Sequence, residues 1–217
     1  MRTAADFDAF YGVTDPWQTR TIRNRDRIFK DIASRYLRGK KVLELGCGEG
    51  YQTTVVFDVC SHVTGVDISQ IAINRANSRK LSNAAFVAAD FIAIPFYGFD
   101  AVTAIECVYY LSGEDQHCLF DKLAREHSGK ILIFSAPIIG ENEHRVYYTH
   151  QQLISTFGRY GFTLLEMHNL GTYRKTPRAS RFLATLAAAL VRLPFGHHLL
   201  PHLPESMVYQ RAYVLRC

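Results

Sequence analysis

The sequence predicts an α/β fold in which helices cover both faces of a mostly parallel, doubly wound sheet. From residue 40 onwards, short apolar runs typical of strands alternate with amphipathic runs typical of helices. The first strand lies within KKVLELGCGEG, residues 40–50, and ends in glycines just before a helical run. Strand, tight loop and helix in this order form the repeating unit of a parallel sheet.

Size and composition indicate one globular domain, residues 1–217. A chain of 217 residues with 48% hydrophobic and 21% charged residues can bury a core, which excludes disordered and collagen-like classes. The net charge is +5, but residues 20–41 hold nine Lys or Arg against two Asp, a local charge of +7. The basic character therefore belongs to one segment, and a surface that coats nucleic acid is disfavoured.

The cysteines and the amino terminus indicate the compartment. Five cysteines form no C-x-x-C pair and no metal-ligand spacing, so we expect no disulfide framework and no metal site. The start of the chain lacks the apolar core of a signal peptide, and no apolar run is long enough to cross a membrane. We expect a cytoplasmic protein.

The remaining elements follow from hydrophobic periodicity. Residues 21–37 form an amphipathic helix with its arginines on the polar face, within an amino-terminal helical cap at residues 1–38. Further helices are predicted from Tyr51 and over residues 69–81, 114–125 and 149–160. The later strands are HVTGVD (62–67), AAFVAAD (84–90), FDAVTAIE (99–106), KILIFSAP (130–137), FTLLEMHNL (162–170) and MVYQRAYVL (207–215).

An insertion at residues 172–204 separates the last two strands. It contains the apolar run RFLATLAAALVRL followed by a proline-bounded, histidine-rich loop. We expect a lid over the site or a dimer contact. Five Lys and Arg residues around the apolar run leave peripheral contact with an anionic membrane open as an alternative.

The glycine loop predicts a nucleoside ligand. Gly46, Gly48 and Gly50 would let a ligand approach the backbone, but their spacing departs from the G-x-G-x-x-G of hydride-transfer cofactors. Asp67 closes the second strand 17 residues beyond Gly50, close to the spacing of an acid that binds ribose hydroxyls. Asp90 ends the third strand, and Phe91 adds a flat ring. Tight turns, helix caps and core packing are the alternative roles of these residues.

The motifs E-L-G-C-G-E-G, G-V-D-I-S, A-A-D-F and FDAVTAIE, in this order, resemble the class I S-adenosylmethionine-dependent methyltransferases. The resemblance spans roughly residues 38–170 and implies a Rossmann-like sheet of order 3-2-1-4-5-7-6 with the last strand antiparallel. It implies S-adenosylmethionine as cofactor. The loop from Glu44 to Gly50, with Gly46, Cys47 and Gly48, would hold the methionine portion. The implied nucleoside contacts are Asp67 to the ribose, Ile68 to the adenine, and Asp90 with Phe91 to the adenine edge and face.

A narrower resemblance concerns the acceptor. TDPWQTRTIRNRDRI near the amino terminus and ECVYYL after the fourth strand are similar to the rhizobial nodulation N-methyltransferases, which modify amino sugars. This resemblance implies methylation of an amine or hydroxyl of a small molecule. The first candidate for the acceptor is an amino sugar or another glycan-related compound. Trp17 would cover the cofactor and Arg23 would meet its carboxylate, although a buried tryptophan and a solvated arginine are the simpler alternatives.

Catalytic residues are expected where the methyl group leaves. Glu106 ends the fourth strand and is also a candidate cofactor contact, and Tyr110 follows it. An amine or hydroxyl acceptor gives up a proton, for which Glu106, His144 and His150 are candidate bases. An RNA or lipid-linked substrate and a non-catalytic partner protein that only binds S-adenosylmethionine remain alternatives. We expect a monomer or a homodimer.

Overall fold

The computed structural model describes residues 3–17, 23–140, 145–172, 186, 189–191, 193 and 195–217, without the side chains of Arg23 and His197. The helices are α1 Ala4–Phe10, α2 Arg23–Tyr36, α3 Tyr51–Val55, α4 Gln70–Ser78, α5 Gly113–Glu126 and α6 His150–Arg159. The strands are β1 Lys41–Leu45, β2 His62–Asp67, β3 Ala84–Ala88, β4 Ala101–Ile105, β5 Ile131–Pro137, β6 Thr163–Thr172 and β7 Val208–Arg216.

The strands form one sheet of order β3-β2-β1-β4-β5-β7-β6, which confirms the predicted order. β1 to β5 pair in parallel, and β7 runs antiparallel to both β5 and β6. The third strand ends at Ala88, so Asp90 lies two residues beyond it rather than at its last position. Because β1 to β4 run in parallel, their carboxyl ends meet at one edge of the sheet, where such sheets bind their ligands.

Both faces of the sheet are covered, as the doubly wound class requires. Successive residues of a strand point to opposite faces, so Leu132 and Phe134 pack on one side and Ile133 on the other. The first side is closed by α5 and α6, through Phe120 and Phe157 among others. The second is closed by α2. The sheet is consequently buried on both sides, which explains why β4 contains no exposed residue.

Helix α2 corrects one detail of the sequence analysis. Its apolar face is buried as predicted, with Phe29 and Ile32 almost fully inaccessible. The predicted polar face, however, does not contain all of its arginines. Arg25 is only 5% exposed, because it lies one turn before Phe29 on the buried side of the helix.

Glu166 on β6 links the edge of the sheet to the end of α2. Its carboxylate accepts hydrogen bonds from Arg35, from the Tyr36 hydroxyl at 2.6 Å and from His168 at 2.9 Å. Burial acts to raise the pKa of Glu166, but these hydrogen bonds outweigh it and lower the pKa to about 2. The ionised carboxylate thus favours the folded state.

About half of the predicted lid at residues 172–204 lies outside the described residues. Its described parts pack on β6 and on the start of α2: Asn169 donates to the Leu200 carbonyl at 2.9 Å, and Asn24 donates to the Leu193 carbonyl at 3.0 Å. Within the described part of the chain, no helix is both long and apolar enough to cross a membrane.

Glu166→Gln is expected to lower the free energy of unfolding at pH 7 by about 1 kcal/mol, since it removes hydrogen bonds to a partly exposed carboxylate. The folded-state pKa lies below the ordinary value of 4.5, so this stabilisation is present above pH 4.5 and is lost as the pH falls towards 2. Urea unfolding at several pH values would measure the difference between wild type and variant. Asp121→Asn, in the exposed pair with Arg125, is the control and should change stability less. If the difference in free energy of unfolding between wild type and variant did not change with pH, the stabilising role of the ionised Glu166 carboxylate would be contradicted.

Candidate active site

A cavity of about 340 Å³ opens at the carboxyl ends of β1 to β4. Its walls come from segments distant in sequence: the loop after β1, the residues after β2, β3 and β4, the amino-terminal segment and α2. The lining residues include Phe7, Tyr11, Trp17, Arg25, Gly46, Cys47, Gly48, Gln52, Asp67, Ile68, Asp90, Phe91, Glu106, Tyr109, Tyr110 and Arg145. The topology thus brings together nearly all the strand-end motifs of the sequence.

The glycine loop has no room for side chains at two positions. A Cβ atom on Gly46 would lie 2.5 Å from Cβ of Cys107, and one on Gly48 would lie 2.6 Å from the Tyr11 hydroxyl. Both glycines also have positive φ angles, 68° and 52°, which side-chain-bearing residues rarely adopt. The loop therefore lies close against its neighbours and exposes backbone to the cavity.

Asp67 connects this loop to the next strand. Its carboxylate accepts hydrogen bonds from the backbone N–H of Gly48 at 2.9 Å and of Ser69 at 3.0 Å. Burial raises the pKa of Asp67, and these two hydrogen bonds oppose the increase. One carboxylate therefore both holds the loop and lines the cavity.

Asp90 and Phe91 form the wall beyond β3. An oxygen of the Asp90 carboxylate accepts from the Ile92 N–H at 2.9 Å, which makes a local turn and orients the acid. Phe91 and Ile68 provide apolar surface on the same cavity. An acid beside a flat ring and an aliphatic side chain suits a purine nucleoside.

Glu44 has a different place from the other predicted residues. It does not line the cavity but lies beneath the loop, where its carboxylate accepts a hydrogen bond from the Thr53 hydroxyl of α3. Burial raises the pKa of Glu44 to about 8. Its observed contact ties β1 to α3 and supports the loop from below.

The amino-terminal segment forms the roof of the cavity. Asp8 accepts hydrogen bonds from the Ser69 hydroxyl and from the Ile71 N–H, at the start of α4. The Asp15 N–H donates to Glu49, which also pairs with Arg75 at 2.6 Å. These contacts hold Phe7, Tyr11 and Trp17 over the opening.

Two polar side chains at the α2 end of the cavity have buried atoms without hydrogen-bond partners. They are Arg25, through Nε and Nη2, and Gln52, through Oε1. The Nη2 atom of Arg25 lies 4.0 Å from Asp26, too far for a hydrogen bond. The family resemblance implied Arg23 for this region, whereas Arg25 lines the cavity, and the spacing of Arg25 to Phe29 and Ile32 indicates the buried face.

Glu106 lies directly after β4 in a strained backbone conformation, with a φ angle of +57°. Its carboxylate accepts a hydrogen bond from the Ser135 hydroxyl at 2.7 Å. Burial raises the pKa of Glu106, while hydrogen bonds and the charge of Arg25 oppose the increase. The carboxylate and Tyr110 line the same cavity.

Two predicted residues lie outside what the structure describes. The backbone of Arg23 begins α2, but its side chain is not described, and His144 falls between residues 140 and 145. The other histidine of that region, His150, stacks on Tyr213 and contacts its hydroxyl at 3.0 Å, and it does not line the cavity. Among the described residues, no group of three or more side chains could ligate a metal ion.

Comparison with known sequences shows that part of the chain is similar to methyltransferases. Residues 42–126 match the family described as "Methyltransferase domain". Over 116 residues, the chain is 33% identical to an uncharacterized methyltransferase of Bacillus licheniformis. The match covers 51% of this chain and 53% of the relative, so the chain spans about half the length of this curated relative.

Solved structures share the fold over the whole chain. The N-methyltransferase NodS of Bradyrhizobium japonicum, solved with S-adenosyl-L-homocysteine, is 17% identical with a TM-score of 0.69, covering 100% of this chain and 98% of NodS. A putative methyltransferase in complex with the Haloferax volcanii Trm112 activator has 19% identity and a TM-score of 0.71, with coverage of 99% and 97%. The [4+2]-cyclase SpnF has 18% identity and a TM-score of 0.67, with the same coverage.

The family match covers the strand-end motifs that line the cavity, and the neighbours share the fold. The chain therefore contains a segment similar to a methyltransferase domain within a fold that solved methyltransferases share.

Proposed function

We propose that the protein transfers the methyl group of S-adenosylmethionine to an amine or hydroxyl of a small molecule. An amino sugar or another glycan-related compound is the first candidate for this acceptor. The observation that carries this proposal is a set of buried atoms in the cavity without hydrogen-bond partners, Nε and Nη2 of Arg25 and Oε1 of Gln52. Buried polar groups without partners are costly, so a ligand that satisfies them gains correspondingly in affinity.

The α2 end of the cavity suits an amino acid. The unpartnered guanidinium N–H groups of Arg25 match a carboxylate, and the unpartnered carbonyl oxygen of Gln52 matches an ammonium group. The methionine portion of S-adenosylmethionine carries both groups on one carbon. Gly46, Cys47 and Gly48 would lie along it with their backbone.

The opposite end suits the nucleoside. Asp67 would bind the ribose hydroxyls, Ile68 would pack on the adenine, and Asp90 with Phe91 would meet its edge and face. Tyr11 and Trp17 would cover the bound molecule from the amino-terminal side. Trp17 is held for this role by a 3.3 Å hydrogen bond from its Nε1 to the Tyr11 hydroxyl.

When bound, S-adenosylmethionine supplies an electrophilic methyl group on a sulfonium sulfur. The protein's own contribution is alignment of the acceptor, exclusion of water and removal of a proton. The Glu106 carboxylate would take the proton that the acceptor gives up, and its raised pKa makes it a better base than an exposed carboxylate. Tyr110 would contact the acceptor, and His144 remains a second candidate base.

The alternatives are weaker. A protein that only binds S-adenosylmethionine should have a closed space beside Glu106, but the cavity there extends to Tyr110 and Arg145. RNA binding through α2 is disfavoured because Arg25 is buried and Arg35 is paired with Asp31 and Glu166. The five free cysteines suit the reducing conditions of the cytoplasm.

Calorimetric titration with S-adenosylmethionine and S-adenosylhomocysteine is expected to give micromolar affinity, and NAD is expected not to bind. Tritiated methyl transfer would then be measured onto amino sugars, phenols, lipids and RNA, with turnover expected on a small molecule. Binding without turnover on any acceptor would favour the non-catalytic alternative. No binding would contradict the proposed function altogether.

Arg25→Met is expected to weaken S-adenosylhomocysteine binding about 10- to 100-fold, because it removes charge-assisted hydrogen bonds to the carboxylate. Affinity for 5′-methylthioadenosine, which lacks the amino acid portion, should stay near the wild-type value. Calorimetry on both ligands measures the two effects. Arg38→Met, at an exposed position just beyond α2, is the matched control and should change neither affinity. An equal loss for both ligands would mean that Arg25 acts on the fold of the cavity instead.

Glu106→Gln is expected to lower kcat about 100-fold or more for the acceptor found above, because the proton acceptor is lost. In the wild type, kcat should fall as the pH drops through the raised pKa of Glu106, since only the ionised form accepts a proton. Ser135→Ala removes a hydrogen bond that lowers this pKa, so the fall should begin at higher pH. Rate measurements across pH, with S-adenosylhomocysteine affinity beside them, test the role. Lost affinity with an unchanged rate would make Glu106 a cofactor contact only.

A further inference from the structure

Arg145 is a second arginine on the cavity wall, and its surroundings differ from those of Arg25. Its guanidinium lies 4.8 Å from the ring centre of Tyr110 and 5.5 Å from that of Tyr109. It donates one hydrogen bond, to the Tyr147 hydroxyl at 3.2 Å, and its buried Nε has no partner. Among the described residues no carboxylate lies within ion-pair distance of it, although Asp115 lines the same cavity.

The two arginines lie beside different groups. Arg25 is on α2 with its Nη2 atom 4.0 Å from Asp26, whereas the guanidinium of Arg145 lies over the rings of Tyr109 and Tyr110. Arg25 therefore belongs to the α2 end of the cavity and Arg145 to the wall formed by the tyrosines after β4. S-adenosylmethionine has one carboxylate, which Arg25 matches. Arg145 is left for another ligand.

Aromatic rings surround this second position. The ring centre of Tyr110 lies 4.7 Å from that of Tyr109 and 5.8 Å from that of Trp17. It lies 5.3 Å from the ring centre of Phe7, and the planes of these two rings make an angle of 82°. Ring faces and edges of this kind bind flat rings and the apolar faces of sugars. A guanidinium stacked on such rings keeps its N–H edge for a carboxylate or a phosphate.

We propose that Phe7, Trp17, Tyr110 and Arg145 form the acceptor site, and that the acceptor is a ring compound carrying an anionic group beside the methylated nitrogen or oxygen. This acceptor site rests on the proposed function, and it narrows the chemical class of the acceptor. The anion is the carboxylate of a flat aromatic acid or the phosphate of an amino sugar. A neutral acceptor would leave the buried Nε of Arg145 unpaired in the complex, which disfavours it.

Trp17 provides the measurement, because it is the only tryptophan in the chain and lines the cavity. With S-adenosylhomocysteine in excess, its fluorescence would be followed during titration with two matched pairs of probes. The first pair is 4-hydroxybenzoate and 4-hydroxybenzamide, and the second is glucosamine 6-phosphate and glucosamine. Calorimetry repeats each titration in case binding leaves the fluorescence unchanged.

The anionic member of at least one pair is expected to bind about tenfold more tightly than its neutral partner. The pair that shows the preference decides between aromatic acid and phosphosugar. Arg145→Met should abolish the preference and leave S-adenosylhomocysteine affinity near the wild-type value, which also shows that the variant is folded. Arg125→Met, at an exposed position on α5, should keep the preference.

Arg25→Met should behave in the opposite way, weakening S-adenosylhomocysteine while keeping the preference for the anionic probe. Equal binding of both members in both pairs, no binding of any probe at millimolar concentration, or a preference that survives in Arg145→Met would overturn the proposed acceptor site. If the wild type does not bind S-adenosylhomocysteine, the proposed function fails. The same titrations without S-adenosylhomocysteine would then still decide whether Arg145 binds anions.

Discussion

The close packing around the loop at residues 46–50 is the constraint on which the rest of the site depends. Cys107 from the end of β4 approaches Gly46, and Tyr11 from the amino-terminal segment approaches Gly48, each within the space that a Cβ atom would fill. Three segments distant in sequence therefore meet here, with the side chains of Cys107 and Tyr11 packed against the backbone of the loop. The N–H groups of Gly46 and Gly48 donate to Val66 and Asp67, which fixes the loop to the end of β2 at the edge of the cavity.

Carboxylates hold this arrangement together from the inside. Asp67 accepts from the loop, Glu44 ties β1 to α3, and Asp8 fastens the amino-terminal segment to α4. For Glu44 and Asp67, burial raises the pKa, so part of the stability gained from their hydrogen bonds offsets the cost of desolvation. Burial of these carboxylates costs free energy unless each keeps its hydrogen-bond donors. This favours the one geometry of the cavity in which all of those hydrogen bonds form.

The cavity is also divided by charge. Arg25 lies at the α2 end, Arg145 lies over the tyrosines after β4, and the strained Glu106 is affected by the charge of Arg25 and by a hydrogen bond with Tyr109. Two guanidinium groups at separate positions would let the protein hold two different ligands in a fixed relation, as proposed above. Alignment of this kind is the main contribution that a protein can make to a displacement reaction.

The local sequence determined the elements and most of the cavity wall after β1, β2 and β3. Strand periodicity, the glycine loop and the acids at strand ends act over short distances, so Gly46, Gly48, Asp67, Asp90 and Phe91 could be selected without coordinates; Ile68 followed from the family resemblance, and all six line the cavity. The sheet order came from a family resemblance carried by those same motifs, and the structure has that order.

The long-range partners were decided only by the tertiary structure. Whether Arg25 faces inward depends on the rotation of α2 against the sheet, because successive residues of a helix point about 100° apart. Glu44 was expected in the cavity, but contact with Thr53 places it below the loop. Arg145 meets Tyr109 and Tyr110 across 35 residues of chain, because β4 and β5 are neighbours in the sheet. Such contacts depend on packing between elements, which hydrophobic periodicity does not specify.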